Sequence, residues 1–292
     1  MKYRILHKTD YRYSEPASLS QNELFLLPRQ TATQRVLDSR LDIDPEPQYL
    51  HRRTDYFGNQ VQVFMVQQPH SALTMTAASS VETIRAATPQ PAGTPAWETV
   101  AQRLAAPGRA DELDACQFLF PSPLVTVSPA AAAYARSSFA PGQPVLACAL
   151  DLIRRINTEY TYDKSATTID TPVEQVLKNR KGVCQDFAHL AVSCLRALGL
   201  AARYVSGYLE TLPPPGKSKL VGADASHAWI SIFIPDTGWV DLDPTNNLIP
   251  GEAHITLAWG RDYGDVTPVK GVVMGGGAHD LSVMVDVVAQ GN

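Results

Sequence analysis

The stretch Lys181-Gly182-Val183-Cys184-Gln185-Asp186-Phe187-Ala188-His189 constrains this chain most, because it ties a thiol to the start of a helix. Apolar residues recur at Phe187, Leu190, Ala191, Cys194, Leu195 and Leu198, the spacing of one helical face, and Gly199 follows as a C-terminal stop. Cys184 therefore falls at or just before the first turn. Unpaired backbone N–H groups and the helix dipole favour an anion there, so a thiolate nucleophile is stabilised. A free cysteine is more often a small buried hydrophobe. What lifts Cys184 above that reading lies downstream, in Ser226-His227-Ala228-Trp229 and Trp239-Val240-Asp241-Leu242-Asp243-Pro244-Thr245. His227–Ile234 and Trp239–Asp243 read as strands joined by a turn over Pro235–Gly238.

Gly182-Val183-Cys184-Gln185-Asp186, His227-Ala228-Trp229 and Asp243-Pro244-Thr245 resemble the three motifs of the transglutaminase-like superfamily. The resemblance implies a papain-like fold and a triad of Cys184, His227 and Asp243. Cys184 would attack an amide carbonyl, His227 would move the proton, and Asp243 would orient the imidazole. The backbone N–H of Cys184, at the helix start, is a candidate oxyanion donor, and Tyr162 in the extended segment 160–163 is a tentative second one. Trp229 is a tentative substrate contact, with a core or site-wall role for it and Trp239 as the plainer reading. Asp186 reads as a first-turn helix acid and His189 as structural. His7, His51, His70, His254 and His279 show no partner in the sequence.

A simple hairpin sets Pro235 against Trp239, which puts Asp243 opposite Ser231. At ~3.3 Å per residue that leaves Asp243 roughly 13 Å from His227 along the strand. The triad therefore requires a shifted register or a bulge. Asp241 and Asp224 are the fallback carboxylates.

The fold class expected is α+β: a β-sandwich-like N-terminal domain, then a papain-like core with the Cys-bearing helix packed on an antiparallel sheet. Residues 1–84 read as short strands at Lys2–Tyr13, Leu24–Leu27, Val36–Ile43, Val61–Val66 and Leu73–Ile84, with a turn at Thr54–Gln60. Tyr13-Ser14-Glu15-Pro16, Asn22-Glu23-Leu24, Pro28-Arg29 and Asp55-Tyr56-Phe57-Gly58-Asn59 resemble the β-rich N-terminal domain of bacterial transglutaminase-like proteins. Glu23, Arg29 and Asp55 sit where turn chemistry wants them, without a nucleophile nearby. Residues 85–127 read as an Ala/Pro-rich linker with a short helix at Trp97–Ala105. Residues 128–292 read as the catalytic domain, with helices at Ala130–Ser138 and Pro144–Thr158 and a capping box at Thr171–Glu174 opening another. Pro213–Ser218 reads as an exposed loop. Val266–Met274 and Asp280–Val288 read as C-terminal strands around Gly275-Gly276-Gly277, a turn without the features of a phosphate loop.

The 292 residues allow two domains, and 45% hydrophobic with 18% charged content suits a globular protein. A net charge of −4 argues against a nucleic-acid surface, and no apolar run suggests a membrane span. Four cysteines without a CxxC pattern argue against zinc and for a reducing, cytoplasmic setting. No cofactor is expected. The expected function is cysteine-dependent acyl transfer on a peptide or amide substrate through a thioester, with hydrolysis favoured over cross-linking. A true transglutaminase and a non-catalytic binding module with the same fold are the alternatives.

Overall fold

A computed structural model describes residues 1–85, 87–211 and 226–290. Its first unit grows from one strand, β1 (Lys2–Leu24). Its first half alternates, burying Tyr3, Ile5, His7 and Thr9 on one face. Beside it run β2 (Gln34–Asp44), β3 (Tyr49–Thr54), β4 (Gln60–Val66) and β5 (His70–Thr83), in the order β2-β5-β1-β4-β3. The pairing of β1 with β5 breaks register between Arg12 and Ala17, and beyond the break Ser20–Leu24 pairs with β4 instead. The result is the β-sandwich-like unit expected, built as a curled antiparallel sheet whose two parts share β1. β3 has no counterpart in the sequence reading because all six of its residues are exposed, so it carries no alternation.

Residues 85–127 are not a plain linker. They hold α1 (Trp97–Ala105) and α2 (Ala110–Cys116), whose Val100, Leu104 and Ala115 enter the main core. Then come α3 (Pro129–Arg136), α4 (Val145–Glu159), β6 (Thr161–Tyr162), α5 (Val173–Asn179), β7 (Lys181–Gly182) and α6 (Cys184–Arg196). Ser128 caps α3 by accepting from Ala131 N at 3.2 Å. The capping box read at Thr171–Glu174 does not form. Pro172 takes the cap position of α5, the Thr171 hydroxyl accepts from Thr168 N, and Glu174 accepts from Thr126.

The helix α6 is buried on every side from Asp186 to Arg196, as suits the central helix of a core. It packs on a four-stranded antiparallel sheet ordered β10-β9-β8-β11, from β8 (Ala202–Leu209), β9 (Ser226–Ile234), β10 (Gly238–Leu242) and β11 (His254–Gly260). Pro213–Ser218 and Asp224 lie outside the described residues.

The last two strands, β12 (Val269–Gly275) and β13 (His279–Gln290), return to the first unit. Both pair with β1, so they complete the N-terminal sheet and add nothing to the α6-bearing sheet. The two units are further joined along the free edge of β11. Gln34 donates to Thr256 O at 2.8 Å and accepts from Thr256 N at 2.9 Å. Asn59 does the same for Trp259, at 2.8 and 3.0 Å. Each buried amide thus stands in for a residue of a neighbouring strand. Asn59 is itself held by Asp55, which explains the turn motif by structure. Arg29 lies over the Trp259 ring at 3.2 Å.

Candidate active site

Cys184 is the first residue of α6, with Val183 as its extended cap. Valine has no side chain to satisfy the turn, and Asp186 supplies the missing group. Its Oδ2 accepts from Val183 N at 2.7 Å and from Thr167 Oγ1 at 2.6 Å. The returning carboxylate lies where a Cβ on residue 182 would be, so only glycine fits there. Burial raises the Asp186 pKa. Its role is to shape the turn beneath the thiol.

His227 begins β9, and its Nε2 lies 2.7 Å from Asp243 Oδ2. The hairpin register makes this meeting possible. The loop spans Pro235–Thr237, one residue earlier than expected, and Gly238 pairs with Ile234. Asp241, and not Asp243, then faces Ser231. Asp243 leaves the strand and pairs its backbone with Leu248 in a turn, with Asp243 N to Leu248 O at 2.9 Å. The shift required by the sequence argument is therefore present, and no bulge at Gly238 is needed. Of the fallback carboxylates, Asp241 accepts from Trp229 Nε1 at 3.2 Å.

Asp243 is fully buried and saturated with donors. Oδ1 accepts from Thr245 N (2.9 Å) and Asn246 N (3.1 Å). Oδ2 accepts from His227 Nε2, Asn246 Nδ2 (2.7 Å) and His254 Nε2 (3.1 Å). Burial alone would raise its pKa, but these bonds and the His227 charge hold it well below the ordinary carboxylate range. An ionised carboxylate only accepts, so His227 Nε2 carries the proton and Nδ1 is the ring nitrogen that Asp243 does not engage. Burial disfavours the imidazolium, but hydrogen bonds to Asp243 and to Cys184 outweigh it and lift His227 to about 9. His227, Asp243 and His254 ligand atoms fall within 4.8 Å of one another, close enough to suggest a metal set. The two imidazoles meet Asp243 Oδ2 at hydrogen-bonding N–O distances of 2.7 and 3.1 Å.

Tyr162 is half exposed and lies close enough to Cys184 for the thiol to add to burial in raising its pKa. Parallel pairing of β6 with β7 carries it there, setting Tyr162 beside Gly182. Its ring meets Phe187 edge-on, with centroids 6.3 Å apart. Burial first, and Cys184 next, raise its pKa and keep the hydroxyl protonated. Trp229 is placed differently. It is fully buried, its indole N–H is taken by Asp241, and its ring lies behind His227 with centroids 6.1 Å apart. It has no face open to a substrate and acts as packing. His189 accepts from Tyr263 N at 3.1 Å, and burial pushes it down to about 4, in keeping with a structural role. Burial first, then the neighbouring Tyr11 and Cys184, raise the Tyr263 pKa.

Two residues at this site escaped the sequence reading. Asn246 directly follows the Asp-Pro-Thr motif and could have been found by extending it. His254 shows no partner in the sequence, yet it reaches Asp243 from β11, a strand too short and too uniformly buried to announce itself.

The family described as the bacterial transglutaminase-like N-terminal region matches residues 3–82, and the transglutaminase-like superfamily core matches residues 132–244. The chain belongs to the transglutaminase-like superfamily. Uncharacterized protein Rv2569c of Mycobacterium tuberculosis is 42% identical over 299 residues, covering 98% of this chain and 92% of its own. Uncharacterized protein ML0607 of Mycobacterium leprae is 35% identical, with 98% of each chain covered. A protein-glutamine gamma-glutamyltransferase of Pseudomonas aeruginosa is 36% identical over 103 residues, which are 34% of this chain and 15% of that protein. A solved structure from Cytophaga hutchinsonii, provisionally named a cysteine protease, superposes with a TM-score of 0.77 at 22% identity. It covers 100% of this chain and 91% of that one, and shows the same fold. All four cysteines are free, and no helix among the described residues is long and apolar enough to cross a membrane.

Proposed function

We propose that this protein is a cysteine acyl-transfer enzyme acting on amide bonds of a peptide or protein, with Cys184, His227 and Asp243 as its triad. The observation that carries the reading is the bond of His227 Nε2 with Asp243 Oδ2 at 2.7 Å, beside a Cys184 whose charge helps raise the His227 pKa. The Cys184 thiolate attacks the amide carbonyl, forming a C–S bond and an oxyanion. The N–H at the start of α6 and the Tyr162 hydroxyl stabilise that oxyanion. His227 gives its Nδ1 proton to the departing nitrogen as the C–N bond breaks, leaving a thioester and an amine. In the second half, His227 takes a proton from the acceptor, which attacks the thioester and releases the thiolate. Asp243 keeps the imidazole in the tautomer that both halves need.

Water is the acceptor we favour, since the sequence has no acidic loop of the kind that calcium-activated cross-linking would use. Free cysteines suit a reducing compartment, and a cytoplasmic setting is part of the proposal. The test is to incubate the protein with dimethylcasein and dansylcadaverine. Mass spectrometry should show an acyl adduct on Cys184 and carboxylate products without amine incorporation. Dansyl incorporation would make the enzyme a transglutaminase instead. No adduct on Cys184 with this or any peptide amide, together with an iodoacetamide reactivity no higher than that of Cys116, would leave only a binding module.

A further inference from the structure

We infer that His254 is a positioning residue of the site: it divides the charge of Asp243 and so sets how firmly His227 holds its proton. The inference rests on the triad reading above. His254 opens β11, two strands away from His227 across the sheet, and reaches Asp243 Oδ2 with Nε2 at 3.1 Å. Because that oxygen only accepts, Nε2 bears the proton and His254 competes with His227 for the same atom. A carboxylate oxygen shared by His227, Asn246 and His254 offers each less negative charge than one reserved for His227 alone.

Packing holds the ring in this position. His254 is buried, and the Trp229 ring meets it edge-on with centroids 5.3 Å apart. Trp229 reaches across β8 at Gly207, where any side chain would collide with the indole and with the Ile255 carbonyl. The backbone N–H of His254 donates to Gly251 O at 3.1 Å, which fixes the start of the strand. The opposite ring atom, Nδ1, is buried and has no hydrogen-bond partner among the described residues. His254 lines a cavity of about 60 Å³ shared with Thr33, Gln34, Thr83, Thr256 and Asp241. That volume takes a water able to donate to Nδ1, which would lock the tautomer that donates to Asp243. Asp243 and His227 face the His254 ring and Asp241 lines the same cavity; the N-terminal region contributes uncharged Thr33, Gln34, Thr83 and Ile84, with the Met1 ammonium bonded to Thr83 O and paired with Glu252 beyond them.

The consequence is chemical. With one competing donor gone, Asp243 pulls harder on His227, and the imidazolium becomes a weaker acid towards the leaving amine. The substitutions His254→Gln and His254→Asn separate this role from packing. Glutamine can place its amide N–H where Nε2 lies, whereas asparagine is too short to reach it. The readout is the titration midpoint of the His227 ring, followed by ¹⁵N NMR in the full chain. His254→Asn and His254→Leu should raise it by about half a pH unit or more, and His254→Gln should keep it near the wild-type value. The iodoacetamide rate at Cys184 should follow the same grouping of variants. Thermal unfolding of each variant identifies any that fail to fold, and the Gln–Asn pair remains informative if the leucine variant is lost. Equal His227 midpoints in wild type, Asn and Gln variants would overturn the inference while leaving the triad standing. If the wild-type His227 midpoint is unmoved by Cys184→Ala, the triad reading itself fails, whatever His254 does.

Discussion

Asp243 stands two residues short of the position facing His227 across the β9–β10 hairpin, yet the two side chains meet at 2.7 Å. The pairing of Leu242 with Ile230, continued three residues each way, would set residue 245 against His227. The turn that ends β10 at Asp243 swings the carboxylate back towards the histidine, and the hydrogen bonds from Thr245 N and Asn246 N hold it there. Turn and hairpin together make the contact that the proposed chemistry depends on.

The elevated His227 pKa predicts an alkaline limit. Protonated His227 is the acid for the leaving amine, so kcat/KM should fall as pH rises through about 9. Stability should follow the same group. A raised pKa means the charged His227 contributes fully below its free value of about 6.5, and that contribution is lost as pH climbs through about 9. Asp243 acts at the other end: its depressed pKa contributes above about 4 and is lost as pH falls through its folded value. Urea midpoints taken across this range should decline on both sides. A stability profile unchanged between about pH 6.5 and 10 would remove His227 from the account.

Cys184→Ala should abolish turnover and leave the fold in place. The thiol is half-buried at the first turn of α6, while the turn itself is held by Asp186 through Val183 N. Unfolding free energy should change by less than about 1 kcal/mol, measured by urea titration.

Tyr162→Phe should lower kcat by about tenfold to a thousandfold with KM little changed, because the lost hydroxyl would act on the oxyanion and not on the bound substrate. Circular dichroism should match wild type, since the ring contact with Phe187 is kept. An unaltered kcat would assign the second oxyanion donor elsewhere.

Gln34→Ala and Asn59→Ala should each destabilise the protein by about 1–3 kcal/mol, because each strands a buried backbone pair on the edge of β11. The affected residues, Thr256 and Trp259, lie on the strand that carries His254, so the Gln34 variant should also perturb the His227 titration. Urea unfolding followed by tryptophan fluorescence measures the first effect.

The thiol, the histidine and the carboxylate were legible because each sits in a short motif with its own local logic. The helix over Phe187–Leu198 was legible from its apolar spacing and its glycine stop. Hairpin register was not, since a loop over 235–237 and one over 236–238 use the same turn residues and differ only in packing against the rest of the sheet. The kinship of β12 and β13 with β1 is a long-range fact that no local pattern encodes. His254 is the instructive case: its partner lies eleven positions back in the chain, and it became visible only once β11 was laid beside β8.

The pairing of β1 with β13 has a consequence for how the protein is made. Contacts such as Tyr3 with Ala289 and Ile5 with Val287 join positions nearly a whole chain length apart. During synthesis β1 leaves the ribosome before β5 and finds it early, while its other edge waits for β12 and β13, which are translated much later. Closing so large a loop is slow, and an unpaired strand edge recruits other strands meanwhile. Termination of translation before Val269 would release a chain with that edge bare along both halves of β1. Such a product could hold Cys184, His227, Asp243 and His254 in sequence and still aggregate before the site assembles.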